Sequence, residues 1–419
     1  MSTQQVQRRL CAWHTKRLAA LGAFVLIGAV GLAADWPQWR GPNRDGISTE
    51  TGLLKQWPDG GPKLLWTAKG IGDGFATVAI ADGLIYTAGN KGADMLLTAI
   101  GLDGQAKWQV KVGPAYTKDS PGSRGTPTVD GGSVYYEDPN GNVVCLDAKS
   151  GKEVWALNIL KEFNGRNTTW ALSESLLIDG DRLIACPGGA EAAMVALDKK
   201  TGKTVWVCKG AGDKPGYASP ILVELGGLRQ IITMTSHAAI GVNAKTGDLL
   251  WRFEHKTSYD ANIPTPIYHD GCVFIDSGYG SGGELLKLNV DGDKCSAEQV
   301  WRTKALDSHH GGVLLIDGYL YGSSHKGAWV CLDFKTGKEM YSAPGVGKGS
   351  LTCADGMLYT YSEGGTAGLV KATPAGHSVI SQFRVPKGGR GSHWAHPVVC
   401  GGRLYLRHAD ALYAHDISK

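Results

Sequence analysis

Hydrophobic positions along the chain fall into short alternating runs broken by glycine turns, which is the pattern of β-hairpins. One kind of hairpin turns on Asp-Gly or Gly-Gly: Ala79–Tyr86, Thr128–Tyr135, Leu177–Ile184, Leu222–Leu228, Ile267–Phe274, Leu315–Tyr321, Thr352–Tyr359 and Val398–Tyr405. A second kind turns on Thr/Ser-Gly and ends on an aromatic residue. It is sharpest in Ala196-Leu-Asp-Lys-Lys-Thr-Gly-Lys-Thr-Val-Trp206, and recurs at 145–155, 241–251 and 331–341. The closing aromatics Trp66, Trp108, Trp155, Trp206, Trp251, Trp301, Tyr341 and Phe383 recur every ~45 residues, the length of one four-stranded blade. Such a sheet cannot cover both of its faces alone, so the units stack radially. The pattern predicts an all-β, eight-bladed β-propeller over residues 62–419.

The ends of the repeat array predict how the ring closes. The last unit stops after Leu412–Asp416 without a strand of the Trp kind, and Pro62–Trp66 is such a strand with no blade before it. The N-terminal strand is therefore expected to complete the last blade. Residues 34–61, rich in Trp, Pro and Gly, have no period and are expected to pack on the outside or bottom of the ring.

Composition adds the compartment. Glycine supplies 60 of 419 residues, about twice the usual ~7%, as many tight turns require. Arg8, Arg9, Lys16 and Arg17 precede the apolar run Leu18–Val30 and the small-x-small site Gly31-Leu-Ala33. Residues 1–33 thus read as a signal peptide, and the protein as exported to the periplasm, soluble or peripheral to the envelope, without a transmembrane segment in the mature chain. Its removal takes the 43 Lys and Arg to 39, equal to the 39 Asp and Glu, so nothing points to nucleic acid. A monomer is expected. Export permits disulfides, and Cys272 with Cys295 is the one candidate bridge.

The repeat motif resembles the PQQ-type propeller repeat, roughly Ala-x-Asp-x-x-Thr-Gly-x-x-x-Trp, over about residues 60–419. The whole chain resembles bacterial exported proteins of the PQQ-binding-like β-propeller group, to which the outer-membrane assembly factor BamB belongs. That resemblance implies a scaffold and an envelope-protein partner. Trp36-Pro-Gln-Trp-Arg-Gly-Pro42 resembles a motif that opens many such proteins. Quinoprotein dehydrogenases of the same superfamily imply a second reading, a PQQ-dependent enzyme. Their calcium-binding Glu/Asn/Asp set, catalytic Asp and vicinal disulfide find no counterpart that can be placed here, so PQQ is possible but unsupported and no cofactor is expected. The motif itself reads as structural: Asp and Thr cap the turn, Gly takes positive φ, and Trp packs on the next blade.

Candidate chemistry therefore lies on the opposite, top face, in loops the repeat does not dictate. Loops leading into the innermost strands carry Arg124, Trp170, Tyr217, Asn262, His309, His310, Lys348, His393, Trp394 and His396; mid-blade turns carry Asn90, Asp138, Asn140, Glu191, His237, Tyr279, His325, Glu363, His408 and Asp410. With His255, eight histidines fall on this face. Four uses are open: ordering of the loops, a surface for a peptide, glycan or protein partner, a metal site, or a quinone enzyme. Twelve of these residues form the candidate binding face: Arg124, Trp170, Tyr217, His237, Asn262, His309, His310, His325, Lys348, His393, Trp394 and His408.

Overall fold

The computed structural model describes residues 35–419; the expected signal peptide lies outside them. Eight sheets form the blades, spanning 79–114, 128–158, 177–208, 221–254, 267–303, 308–343, 349–384 and 398–416. In blade eight the outermost strand is Leu64–Lys69, paired antiparallel to Ala411–Asp416, so the N-terminal strand closes the ring. Four of the Asp-Gly turns place both residues at positive φ, as in Asp82 (50°) and Gly83 (76°), the geometry of a type I′ two-residue hairpin. No described helix is long and apolar enough to cross a membrane.

The repeat motif is a latch between blades. In blade three, Asp198 Oδ1 accepts from the Thr201 amide (2.8 Å) and hydroxyl (2.8 Å), and Gly202 sits at φ 71°. A Cβ on Gly202 would lie 2.8 Å from the Trp155 ring of blade two. Trp155 Nε1 donates to Lys199 O at 3.0 Å. The same pairing joins Trp108 to Ala148 O and Gly151, Trp206 to Ala244 O and Gly247, and Trp301 to Phe334 O and Gly337. Trp66 repeats it across the closure, donating to Leu102 O beside Gly104. Trp251 departs from the pattern: the outer hairpin of the next blade turns on 291–294 instead of Thr-Gly, and the indole bonds Gln230 Oε1 of its own blade (2.8 Å). Tyr341 meets His377 in the corresponding place (6.1 Å), and Phe383 packs on Gly61.

Residues 35–61 correct the sequence-based placement. Only the later part runs beneath the ring, where Glu50 accepts from Gly402 N and Lys55 pairs with Asp355 at 2.8 Å. The earlier part plugs the central channel. Trp36 bridges Ile80 of blade one, Pro37 O accepts from Val129 N of blade two, and Arg44 donates to Ser175 O and Leu176 O beside blade three. Trp39 Nε1 donates to Thr265 Oγ1 (3.0 Å), Arg40 to Val313 O of blade six, and Ile47–Ser48 add a parallel fifth strand to blade seven. A loop with no period of its own satisfies its backbone on strands that are widely separated in sequence.

The candidate disulfide is absent. Cys272 pairs with Lys287 and Cys295 with Val290 on the strand between them, so the two thiols are two strands and three residues apart. That offset exceeds the reach of a disulfide, and both thiols are free.

Candidate functional site: a cavity on the top face

The channel opens on the top face into a cavity of about 470 Å³, and every blade contributes to its wall or rim through a loop or turn. Its floor is the plug, at Trp39 and Arg40. Of the candidate binding residues, Arg124, Trp170, Tyr217 and Trp394 line it from loops before blades two, three, four and eight. His309, His310, His325 and Lys348 line it from blades six and seven.

These side chains form a belt of touching rings. Phe75 meets Trp394 at 5.0 Å between centroids, Trp394 meets His310 at 5.7 Å, and His310 meets His309 at 5.6 Å. The belt continues through Tyr279 (5.2 Å from His309), Tyr259 (5.3 Å) and Trp170 (6.1 Å). Arg124 closes it, donating to Trp170 O and lying 5.9 Å above the Phe75 ring.

The electrostatics are one-sided. Burial pushes His309 and His396 down to about 3, with Lys348 and Arg40 respectively adding to the fall, and pushes His310 well below the usual imidazole range. These imidazoles are neutral at neutral pH, leaving Arg40, Arg124 and Lys348 as the charges on the lining, which among the described residues includes no carboxylate. Lys348 is tied to Glu363 at 3.2 Å. Arg124 bonds backbone carbonyls and lies over the Tyr116 ring, 4.8 Å away. Arg40 is 5% exposed, and burial lowers it to about 10, so it keeps its charge.

Four candidates lie elsewhere. The Asn262 amide is fully buried and donates to Thr235 O and His255 O at 2.9 Å each, which is loop ordering. His393 and His408 stack at 3.6 Å between blades seven and eight; His393 contacts the Tyr361 hydroxyl and His408 Nδ1 accepts from Gly388 N. His237 stands on the rim between Asp213 (3.4 Å) and Asp260 (3.0 Å). His255 is buried against Glu284 at 2.8 Å. No group of three or more His, Cys, Asp or Glu among the described residues is arranged to hold a metal.

Sequence reasoning missed Trp39, Arg40 and Phe75. Phe75 was identifiable as a large apolar residue in the one inner-strand loop left unassigned. Trp39 and Arg40 were visible only as two rare residue types in an aperiodic run.

A family model described as outer membrane protein assembly factor BamB matches residues 47–186 and 93–343. The chain belongs to this family. Similar curated proteins fall into two groups. BamB of Moranella endobia is 27% identical over 56% of this chain and 60% of its own length. Quinoprotein alcohol dehydrogenase PedH of Pseudomonas putida is 26% identical over 53% of this chain and 36% of its own length. The chain thus spans less than two thirds of either relative. Among solved structures, BamB from Moraxella catarrhalis superposes with TM-score 0.61 at 16% identity, covering 85% of this chain and 99% of that one. A europium-containing methanol dehydrogenase gives 0.66 at 12% identity, covering 89% of each chain. These likenesses establish the fold alone.

The second group raises the question of a quinone cofactor with its metal. The lining offers ring faces and cations to a planar polycarboxylate quinone. It offers no carboxylate to a divalent or trivalent cation beside that quinone, and oxygen ligands are what such hard cations take. The donor set does not fit the metal-assisted pair.

Proposed function

We propose that the chain is an exported, non-catalytic binding propeller of the cell envelope, recognising a partner protein by taking one of its segments into the top-face cavity. The observation that carries this reading is the cavity itself: closed below by the plug, walled by a continuous belt of rings, positive, and without a carboxylate to act as general base or metal ligand. Aromatic and Arg side chains in a concave, largely apolar site are what strong protein contacts are built from. BamB relatives support the envelope setting.

The experiment is capture from envelope extract by the wild-type protein and by Trp394→Ala and Tyr259→Ala, one on the cavity wall and one exposed on the rim. The same partner should be enriched by wild type and lost with both variants. Enrichment unaffected by either substitution contradicts the reading.

The PedH match favours a quinone-dependent dehydrogenase as the second reading. Protein supplied with PQQ and calcium should reduce no dye with alcohols or sugars; turnover would replace the binding role with a catalytic one.

A further inference from the structure

The floor of the cavity goes further than a general binding role. We infer that the cavity takes a ligand whose aromatic or apolar body ends in a carboxylate, with Arg40 as the anion-binding group. This rests on the proposed binding role of the same cavity and names the chemistry of what it binds.

Arg40 is held as a donor with a free end. Its Nη2 donates to Val313 O and Asp45 O. Its Nη1 lies 3.0 Å from where a Cβ on the cavity residue Gly312 would stand, and among the described residues it donates no hydrogen bond. Asp45 is the nearest acid in charge terms, but its Oδ1 accepts from Ile47 N at 2.9 Å and no ion pair with Arg40 forms. Arg44 and Arg407 are also buried without an ion pair among the described residues, but Arg407 donates from both Nη atoms to carbonyl or hydroxyl oxygens and Arg44 from both of its own to carbonyl and amide oxygens. Arg40 keeps Nη1 for an anion that enters the cavity, which offsets part of the cost of burying its charge. A carboxylate matches its flat fork with short charge-assisted hydrogen bonds.

The rest of the cavity selects the body. Trp39 stands beside Arg40 on the floor, and Phe75, Trp394 and Tyr279 present rings above it. Arg124 adds to the wall a cation without an ion pair among the described residues, and Lys348 a further one that is shared with Glu363. The histidines between them are neutral, so they add ring surface instead of competing charge. Two sources carry this chemistry: a free aromatic acid, and the C-terminus of a polypeptide whose last residue is aromatic.

The test uses the full chain and four probes, with tryptophan fluorescence as readout: 3-phenylpropanoate, its amide, and a short peptide ending in Phe as free acid and as C-terminal amide. Each acid should bind at least about tenfold tighter than its amide, equivalent to ~1.4 kcal/mol. Tighter binding of the peptide acid than of phenylpropanoate assigns a chain terminus as the source; the reverse order assigns a small acid. Arg40→Met should bring acid affinity down to that of the amide and leave the amide unchanged. Because Arg40 also anchors the plug, Lys348→Met provides a second variant and should weaken the acids only. Equal affinity for acid and amide, or binding of neither, overturns the inference. Partner capture, and its loss with Trp394→Ala, is read separately and decides the binding role itself.

Discussion

At the residue scale, a few side chains carry more than their type suggests. Gly202 is fixed twice, by φ 71° and by the Trp155 ring 2.8 Å from where a Cβ would stand. Gly202→Ala should lower stability by about 1–3 kcal/mol, read as a lower urea midpoint, whereas Thr204→Ala on the exposed outer strand should stay within ~0.5 kcal/mol. Histidine sets the acid limit. His309, His393 and His396 are held at about 3, chiefly by burial. Their folded pKa lies below the unfolded value of ~6.5, so the stability they contribute is complete above that value. It is lost as pH falls from ~6.5 towards ~3. The urea midpoint should therefore drop across this window, and a midpoint that rises on acidification would contradict the assignment. Glu137 has the opposite sign. Burial first, and then the charge of Glu174, raise it well above the carboxylate range. Its contribution is complete at acid pH and is lost as pH rises. Glu137→Gln should raise the urea midpoint more at pH ~8 than at pH ~5.

At the element scale, the hairpins were legible because their period and turn chemistry are local. Asp82-Gly83 and Thr201-Gly202 announce their turns in adjacent residues, and the structure uses them so. The strand Leu64–Lys69 was legible because the last blade lacked a partner for Ala411–Asp416. The plug was not legible. Its hydrogen bonds run from Arg44 to Leu176 and from Arg40 to Val313, contacts across long separations that leave no periodic trace. For the same reason the cavity was only half legible. The loop residues Arg124, Trp170 and Trp394 could be assigned to the top face by counting strands, but whether a histidine there faces the cavity or a neighbouring blade depends on packing. His309 lines the cavity, whereas His393 stacks on His408. Arg44 tests the plug: it is buried and donates to Ser175 O (2.7 Å) and Leu176 O (3.1 Å). Arg44→Met leaves those carbonyls unpaired and should cost about 2–3 kcal/mol, seen in the urea midpoint.

At the scale of the whole molecule, the ring has a seam and a polarity. The seam between blades eight and one is held by Trp66 on Leu102 O and by Arg407. That fully buried guanidinium donates to Ala76 O (2.8 Å), Ala88 O (2.7 Å) and Gly72 O (2.8 Å). Arg407→Met should lower stability by about 3 kcal/mol or more. The polarity is chemical. The bottom face consists of lysine-bearing turns dictated by the repeat and crossed by the lead-in, whereas the top face carries the belt of rings around the cavity. The face that meets the partner therefore decides between a cavity-borne site and a surface of repeat turns. The most direct measurement is photo-crosslinking in envelope preparations, with the probe placed at Tyr259 on the cavity rim or at Lys200 in a bottom-face turn. A discrete protein adduct from position 259 and none from 200 is the predicted result. Adducts from position 200 alone, or from neither position, would contradict it.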